Sequence, residues 1–481
     1  MTDGDSCGRC GEENGRVSSI GHFLRSFSWF DWLLVLATAV YVWLLASRRI
    51  EFGSTKGNWV YRYYSNLDVR TLLGSLALGV GLGCLLSFSL KHIDRHRILL
   101  PLCWLVLGTA GQLLLRLFSP YSLGSIVEGD AANGFYGASF ACDPGGLLRD
   151  ASSIYALFPI HIPTNMPGKV LFFHLLRLGA DSPQAMGLLI VLISNAGGLL
   201  LYDLVRRVFR DRRASLTAFV FYLFIPARLY FIPILNAVSP VLLLAVMDVF
   251  AVFLQHRRTW EAALLGIGIY MMVFFEPTPL AGGLFGLVFL RDAAAKPGWR
   301  RECFFRLLCA AALGFLFVHV CFLRAFGFHI VEQVFALLQE CAKCNVALHR
   351  PMAVWLGPNL VEFFLNGGVA ASILFFSGIV VALRRKRGSD RRRADAPPGP
   401  PPPPMDTEIL LSAALLVAAG ILAIISRGEV ARVWIFLSAF LQISAAIQAG
   451  RTPGTRTATV ALTSAVVQAG TTLSMIGFVI P

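Results

Sequence analysis

Long apolar runs separated by short basic loops set the rhythm of this chain. Runs long enough to cross a bilayer lie near 29–46, 71–90, 98–118, 184–205, 239–255, 306–323, 367–383, 408–426, 433–449 and 459–480. Shorter runs near 214–226, 261–275 and 279–290 read as tilted or broken spans. One span needs about 20 apolar residues at helical rise. Spans of this kind must be helices, because an open strand edge in lipid leaves backbone groups unpaired. The pattern therefore predicts an all-α polytopic membrane protein with about thirteen transmembrane helices.

Composition agrees. Of 481 residues, 56% are hydrophobic and only 15% charged. Soluble domains average about 45–50% and about 25%. A soluble enzyme, a secreted disulfide scaffold and a DNA-binding factor are excluded as classes. The net charge of +14 would suggest nucleic acid in a soluble domain. Here the charge marks topology instead. With the N-terminus in the cytoplasm, the inside loops are 91–97, 206–213, 256–258, 291–301, 384–393 and 450–456. These loops and the tail hold most of the 42 Lys and Arg, as the positive-inside rule requires.

The same alternation divides the chain. Residues 1–28 form a polar cytoplasmic tail without the apolar core of a cleavable signal peptide. Residues 29–383 form an N-terminal membrane bundle with two long outside loops, 119–183 and 325–366, expected to carry short interfacial helices. Residues 384–407, containing RRRADAPPGPPPPP, read as a basic, proline-rich cytoplasmic linker. Residues 408–481 form the C-terminal membrane helices. Ten cysteines are present. Cys84, Cys103, Cys309 and Cys321 fall in spans, where Cys is a small apolar residue. Cys7 and Cys10 form CGRC with only His22 nearby, too few ligands for zinc. Cys341 and Cys344 form CAKC in an outside loop and are the local disulfide candidate.

Candidate chemistry concentrates in the first outside loop. SLGSIVEGDAANGFYGASF (122–140) places Glu128 and Asp130 just after a span. HIPTNMPGKVLFFHLLRLG (161–179) leads toward the next, and its FFHLLRL segment reads as an interfacial amphipathic helix after a Pro167-Gly168 break. Together these segments resemble the glycosyltransferase C superfamily, similar to its protein O-mannosyltransferase and aminoarabinose transferase types. Members carry an acidic residue early in the first large outside loop and a His-Pro-Pro-type motif later in it. Asp130 matches the former. His161, Pro163, Pro167 and Gly168 match the latter, with Ile162 inserted after the histidine. A further departure is that the loop follows the third span rather than the first. The resemblance covers roughly 98–260. GEVARVWIFL (428–437) looks like an Arg/Glu element of bacterial members.

The resemblance implies a membrane glycosyltransferase that moves a sugar from a polyprenyl-phosphate donor to a hydroxyl acceptor on a glycan, lipid or protein. Its active face would be extracytoplasmic, in the cell envelope, and the Arg-rich charge, Ala/Gly/Leu-rich spans and compact loops point to a bacterial plasma membrane. Such chemistry needs a base for the acceptor hydroxyl and cations for the departing phosphate. Asp130 is the candidate base of an inverting displacement, with Glu128 a second carboxylate for base, acceptor or a divalent metal. His161, Lys169, Arg228, Glu276 and Arg432 are candidate substrate-binding residues. Arg is the better fork for phosphate, and Lys169 precedes a short helix whose N-terminus could add to its field. Outside Arg324, Arg350 and Arg427 carry less weight. Glu429 reads as an ion-pair partner of Arg427 or Arg432. Asp248 inside a span and Asp203 near an inner end are intramembrane carboxylates, functional candidates on that ground. The competing readings are a transporter or flippase, and a non-catalytic assembly subunit. A transporter would centre its polar groups at the bilayer midplane.

Overall fold

The computed structural model describes residues 28–150, 162–296, 299–394, 405–452 and 454–480. Among them the chain is helical almost throughout. The helices are α1 (Trp29–Ala46), α2 (Val69–His92), α3 (Leu99–Arg116), α4 (Leu123–Glu128), α5 (Asp130–Ala141), α6 (Pro144–Arg149), α7 (Gly168–Arg177), α8 (Pro183–Phe209), α9 (Arg212–Leu223), α10 (Pro226–Phe231), α11 (Ser239–His256), α12 (Thr259–Phe275), α13 (Gly283–Ala294), α14 (Arg301–Phe326), α15 (Ile330–Ala347), α16 (Met352–Asn366), α17 (Val369–Ala394), α18 (Met405–Ile425), α19 (Val430–Val433), α20 (Ile435–Arg451) and α21 (Arg456–Leu473). Two small antiparallel pairs complete it. Strand β1 (Gly53–Ser54) pairs with β2 (Trp59–Val60), and β3 (Arg62–Tyr63) pairs with β4 (Ile476–Gly477).

Each of the thirteen apolar runs falls on a helix. Eight helices among the described residues are long and apolar enough to cross a membrane. The number is nine if α16 and α17, bent 104° to one another at Gly367-Gly368, form one broken span. Helices α12 and α20 are apolar but short. Helix α13 has only 12 residues, about 18 Å at helical rise, less than the hydrocarbon thickness. Helix α21 has the length, but its threonines lower its hydropathy, and most of them are buried against neighbours. Length and hydropathy, not burial, set these four apart, since the fully buried stretch Arg212–Phe231 is one of the eight. The lipid-facing sides are clearest on α1, α2 and α14, where Trp43, Leu73, Leu313 and Phe317 stand exposed.

The loop expected first on the outside folds into α4–α7 among the described residues. The second contains α15 and α16. Helix α17 runs on through Ala394, so the first half of the expected linker is helical, and residues 395–404 lie outside the described ones. The CGRC motif also lies outside them.

Two crossings bring backbones unusually close. Gly79 and Gly83 of α2 meet Thr463 and Thr459 of α21, whose hydroxyls donate to Gly79 O at 3.0 Å and Gly83 O at 3.2 Å. A Cβ on Gly83 would stand 2.8 Å from Thr459 Cγ2, and one on Gly470 would collide with Ser75 Oγ. Likewise a Cβ on Gly266 of α12 or Gly314 of α14 would overlap the Ala311 or Ala263 carbonyl opposite. Small residues at such seams let helices gain dispersion contacts in a solvent where apolar burial supplies little drive. The buried Asp31 of α1 accepts from Thr457 Oγ1 at 2.7 Å, and Tyr41 Oη lies 2.9 Å from Thr472 Oγ1, so side-chain hydrogen bonds join the first and last long helices.

Gly83→Leu should therefore lower the thermal unfolding midpoint in detergent, by overpacking on the order of 1–3 kcal/mol. Gly81→Leu, on the exposed side of the same helix with nothing within 4 Å of its Cβ, should leave the midpoint nearly unchanged. Equal midpoints for the two variants would contradict the α2–α21 seam.

Candidate functional site

Five separate segments converge at one end of the bundle. They are the 47–68 connection carrying the β1–β2 hairpin, the α5–α7 region, the α12 C-terminus, the α15–α16 region and the 426–434 turn. All five were expected on the outside. Trp355 of α16 is their wedge. It is fully buried, and a Cβ on Gly57 or Gly428 would lie 2.5 or 2.9 Å from its ring. Asn359 Nδ2 donates to Ser426 O at 2.7 Å, and Gly428 N–H donates to Asn359 Oδ1. Asn58 Nδ2 donates to His349 O at 2.9 Å.

Lys169 sits in the first turn of α7. The Pro167-Gly168 pair starts that helix as expected, and Gly168 is required because a Cβ there would collide with the Phe274 carbonyl. Helix α7 buries Val170, Phe173 and Leu176 and exposes Leu175, the amphipathic pattern read from FFHLLRL. Lys169 is buried, and its Nζ lies 3.1 Å from Glu276 Oε2 and 2.8 Å from Asn165 Oδ1. The rings of Phe135 and Phe275 each lie 5.8 Å from the ammonium. Burial pulls the Lys169 ammonium below the ordinary lysine range, while the Glu276 carboxylate opposes the shift and the Arg432 charge adds to it. Glu276 caps the C-terminal end of α12, buried, and also accepts from Ser239 and Thr278 hydroxyls.

Beside Lys169 lies the 427–432 turn. Glu429 adopts a left-handed backbone, φ 58°, uncommon for a non-glycine residue. Its carboxylate pairs with Arg432 and lies 3.5 Å from Arg350 Nη2. Arg350 and Arg427 exchange hydrogen bonds with each other's carbonyl at 3.1 and 2.9 Å, and Arg350 faces the Trp59 ring. Glu362 of α16 accepts from Ala431 N–H at 3.0 Å. Tyr61 is buried within electrostatic range of Glu362, Glu429, Arg350 and Arg432.

This cluster concentrates unsatisfied polarity. Arg350 Nε, Arg432 Nε, Trp355 Nε1 and Glu362 Oε2 are all buried without a protein partner. Leaving such groups unpaired costs about 1–3 kcal/mol each. Native structures seldom keep several together unless something else satisfies them. The arrangement offers guanidinium and indole N–H donors plus a carboxylate acceptor in one place, suited to an anionic ligand that also carries hydroxyls.

The structure thus brings Lys169, Glu276 and Arg432 together. Asp130 is the first residue of α5, which packs on α7. Its helix carries Phe135, the Lys169 neighbour, about 7–8 Å further along the axis. The Asp130 side chain and all of His161 lie outside the described residues. Glu128 ends α4 and is exposed. Arg228 is placed apart from this cluster. It is fully buried on α10, stacks on Tyr222, and makes four hydrogen bonds, to Ser194, Asn195 and the carbonyls of Tyr222 and Leu223. Asn195 and Gln112 extend this knot, which ties α3, α8, α9 and α10. Asp203 pairs with Arg206 and Arg207, and Arg207 also lies 3.3 Å from Asp248. The intramembrane acids therefore belong to an ion-pair knot between α8 and α11. Arg324, at the C-terminal end of α14, has no ion pair among those the structure records.

Cys341 and Cys344, whose pairing the sequence left open, lie on α15. Both thiols are free. Cys341 turns inward to the Thr164 carbonyl at 3.9 Å, and burial pushes its thiol up to about 11. Among the described residues no group of three or more His, Cys, Asp or Glu could hold a metal ion.

Sequence reasoning undervalued Arg350 and missed Glu362, Trp355 and Tyr61. Glu362 did carry a signal, a lone acid in the apolar stretch NLVEFFL. Comparison of the chain with family models and with characterised proteins gave no match to either.

Breaking the Lys169–Glu276 pair should cost more than removing it. Glu276→Leu leaves a buried ammonium without its counter-charge and should destabilise by roughly 3–5 kcal/mol, while Lys169→Met/Glu276→Leu should recover most of that loss. Thermal melts of both variants test this. Equal losses would mean that the pair is not coupled.

Proposed function

We propose that the protein is a membrane glycosyltransferase that takes a sugar from a polyprenyl-phosphate donor and passes it to a hydroxyl acceptor. The supporting observation is the buried cluster of Arg350, Arg432 and Lys169 at one end of the bundle, two of whose guanidinium nitrogens have no protein partner. Cations so placed can take up charge on a phosphate as its bond to the sugar breaks. Desolvation strengthens that interaction. The cluster also sits at span ends rather than at mid-bundle, which favours an enzyme over a transporter.

In this reading Asp130 is the base. The acceptor oxygen attacks the anomeric carbon, the carbon–oxygen bond to phosphate breaks, and polyprenyl phosphate leaves with the bonding pair. Asp130 takes the hydroxyl proton, and the single displacement inverts the anomeric centre. Arg350, Arg432 and Lys169 hold the phosphate. Glu362 and Glu276 stand where hydroxyls of the sugar can donate to them. Glu128 is the second carboxylate, available to the acceptor or to a divalent metal, and His161 is a further donor to phosphate or acceptor. The broader topology of about thirteen spans, with this face outside a bacterial plasma membrane, belongs to the same proposal. In it the short α12, α13 and α20, together with α21, complete the bundle beside the eight or nine longer spans.

Purified protein in nanodiscs, given radiolabelled polyprenyl-phosphate sugars and mixed acceptors, should show transfer. Asp130→Asn should reduce turnover by about 10²–10⁴-fold, the usual worth of a general base, while retaining donor binding. Full turnover in Asp130→Asn would move the base to Glu128. Donor binding should also weaken on an alkaline limb. Lys169 is charged below its folded pKa, and burial depresses that value, so the limb falls below the ordinary lysine value of about 10.4. Lys169→Arg stays charged throughout and should abolish the limb. An unchanged limb in that variant would remove Lys169 from the phosphate site.

A further inference from the structure

A groove of about 1160 Å³ runs between α1, α2 and α21, away from the cluster described above. Its two ends differ in chemistry. Ser87 near the C-terminus of α2 bonds Thr455 just before α21, and Asp31 at the start of α1 bonds Thr457. These contacts put the α2 C-terminus and the N-termini of α1 and α21 at one end. That end carries Lys91, Arg213 and Arg456. The other end is lined by Trp43, Ala46, Leu72 and Val467, and the walls between by Val35, Leu76, Val80 and Val460. Lys91 and Arg213 are exposed, and neither enters an ion pair that the structure records. Among the acids near this end, Asp31 is buried and accepts from Ser28 and Thr457, Asp94 pairs with Arg212, and Asp211 caps the start of α9.

A long apolar trough with cations at a single end fits an amphiphile whose head is anionic and whose tail is hydrocarbon. Each basic residue near an anionic lipid surface contributes about 1 kcal/mol, or about fivefold in affinity. Each methylene laid in the trough adds to that. The cationic end lies at the basic-loop end of the bundle, opposite the cluster assigned to the sugar donor. We propose that this groove is a binding site for one anionic phospholipid of the leaflet on the basic-loop side, its headgroup on Lys91, Arg213 and Arg456 and its acyl chains along α2 and α21. The site is independent of the donor reading and would stand if that reading failed.

Native mass spectrometry of the full chain, with phosphatidylglycerol and phosphatidylcholine added in competition, tests the site. Wild type should retain one phosphatidylglycerol, preferred by about tenfold or more over phosphatidylcholine. Lys91→Gln/Arg213→Gln/Arg456→Gln should lose that preference. Cys84→Trp, which fills the trough from an exposed wall position, should lower retention of both lipids with the charges intact. Thermal midpoints close to wild type establish that each variant is folded. Three results would overturn the proposal: no preference in wild type, wild-type preference in the folded triple variant, or wild-type retention in folded Cys84→Trp. Displacement of phosphatidylglycerol by polyprenyl phosphate at equal concentration would also overturn it, assigning the trough to the donor lipid instead.

Discussion

The close crossing of α2 with α21 is the contact on which the rest of the molecule depends. In a bilayer, apolar side chains gain little by leaving lipid for protein, so helices must associate through close backbone approach and polar links. Gly79, Gly83 and Gly470 permit that approach, and the Thr459 and Thr463 hydroxyls seal it. The crossing joins residues almost four hundred positions apart. It closes the bundle, and the β3–β4 pairing and Tyr64 O–H to the Leu473 carbonyl extend the closure beyond the helices.

Closure also delivers the polar cluster. The 47–68 connection is pinned between α1 and α2, and its hairpin brings Gly57 and Trp59 against Trp355. Trp355 in turn presses on Gly428 and so holds the turn that presents Glu429 and Arg432. A left-handed Glu429, a largely buried ion-pair network and four buried polar atoms without protein partners are costly features. Their gathering at one end contrasts with Arg228, whose guanidinium is tied by four hydrogen bonds within the protein.

Much of this was legible in the apolar rhythm. Helical class, the break before α7, the amphipathic face of α7 and the small folded pieces of the first outside loop all follow from spacing and turn chemistry. The span number did not follow, because an apolar run does not reveal how long its helix will be, as the short α13 and α20 illustrate. Arg228 and Lys169 looked alike as outside cations. One is tied by four hydrogen bonds in a packing knot, and the other meets Glu276 and Arg432. The CAKC spacing left a disulfide open, and helical geometry instead turns Cys341 inward as a free thiol.

By itself the sequence determined that this chain is a helical membrane protein with its basic loops at one end, since length, hydropathy and local charge act over a few residues at a time. Tertiary structure alone decided which charges share a site. Arg350, Glu362 and Arg432 span 82 positions, and Lys169 precedes Arg350 by a further 181. Only the packing of glycine seams and the Trp355 wedge brings them within electrostatic reach. Pairing energies depend on distance and burial, and neither quantity is a property of any local stretch of chain.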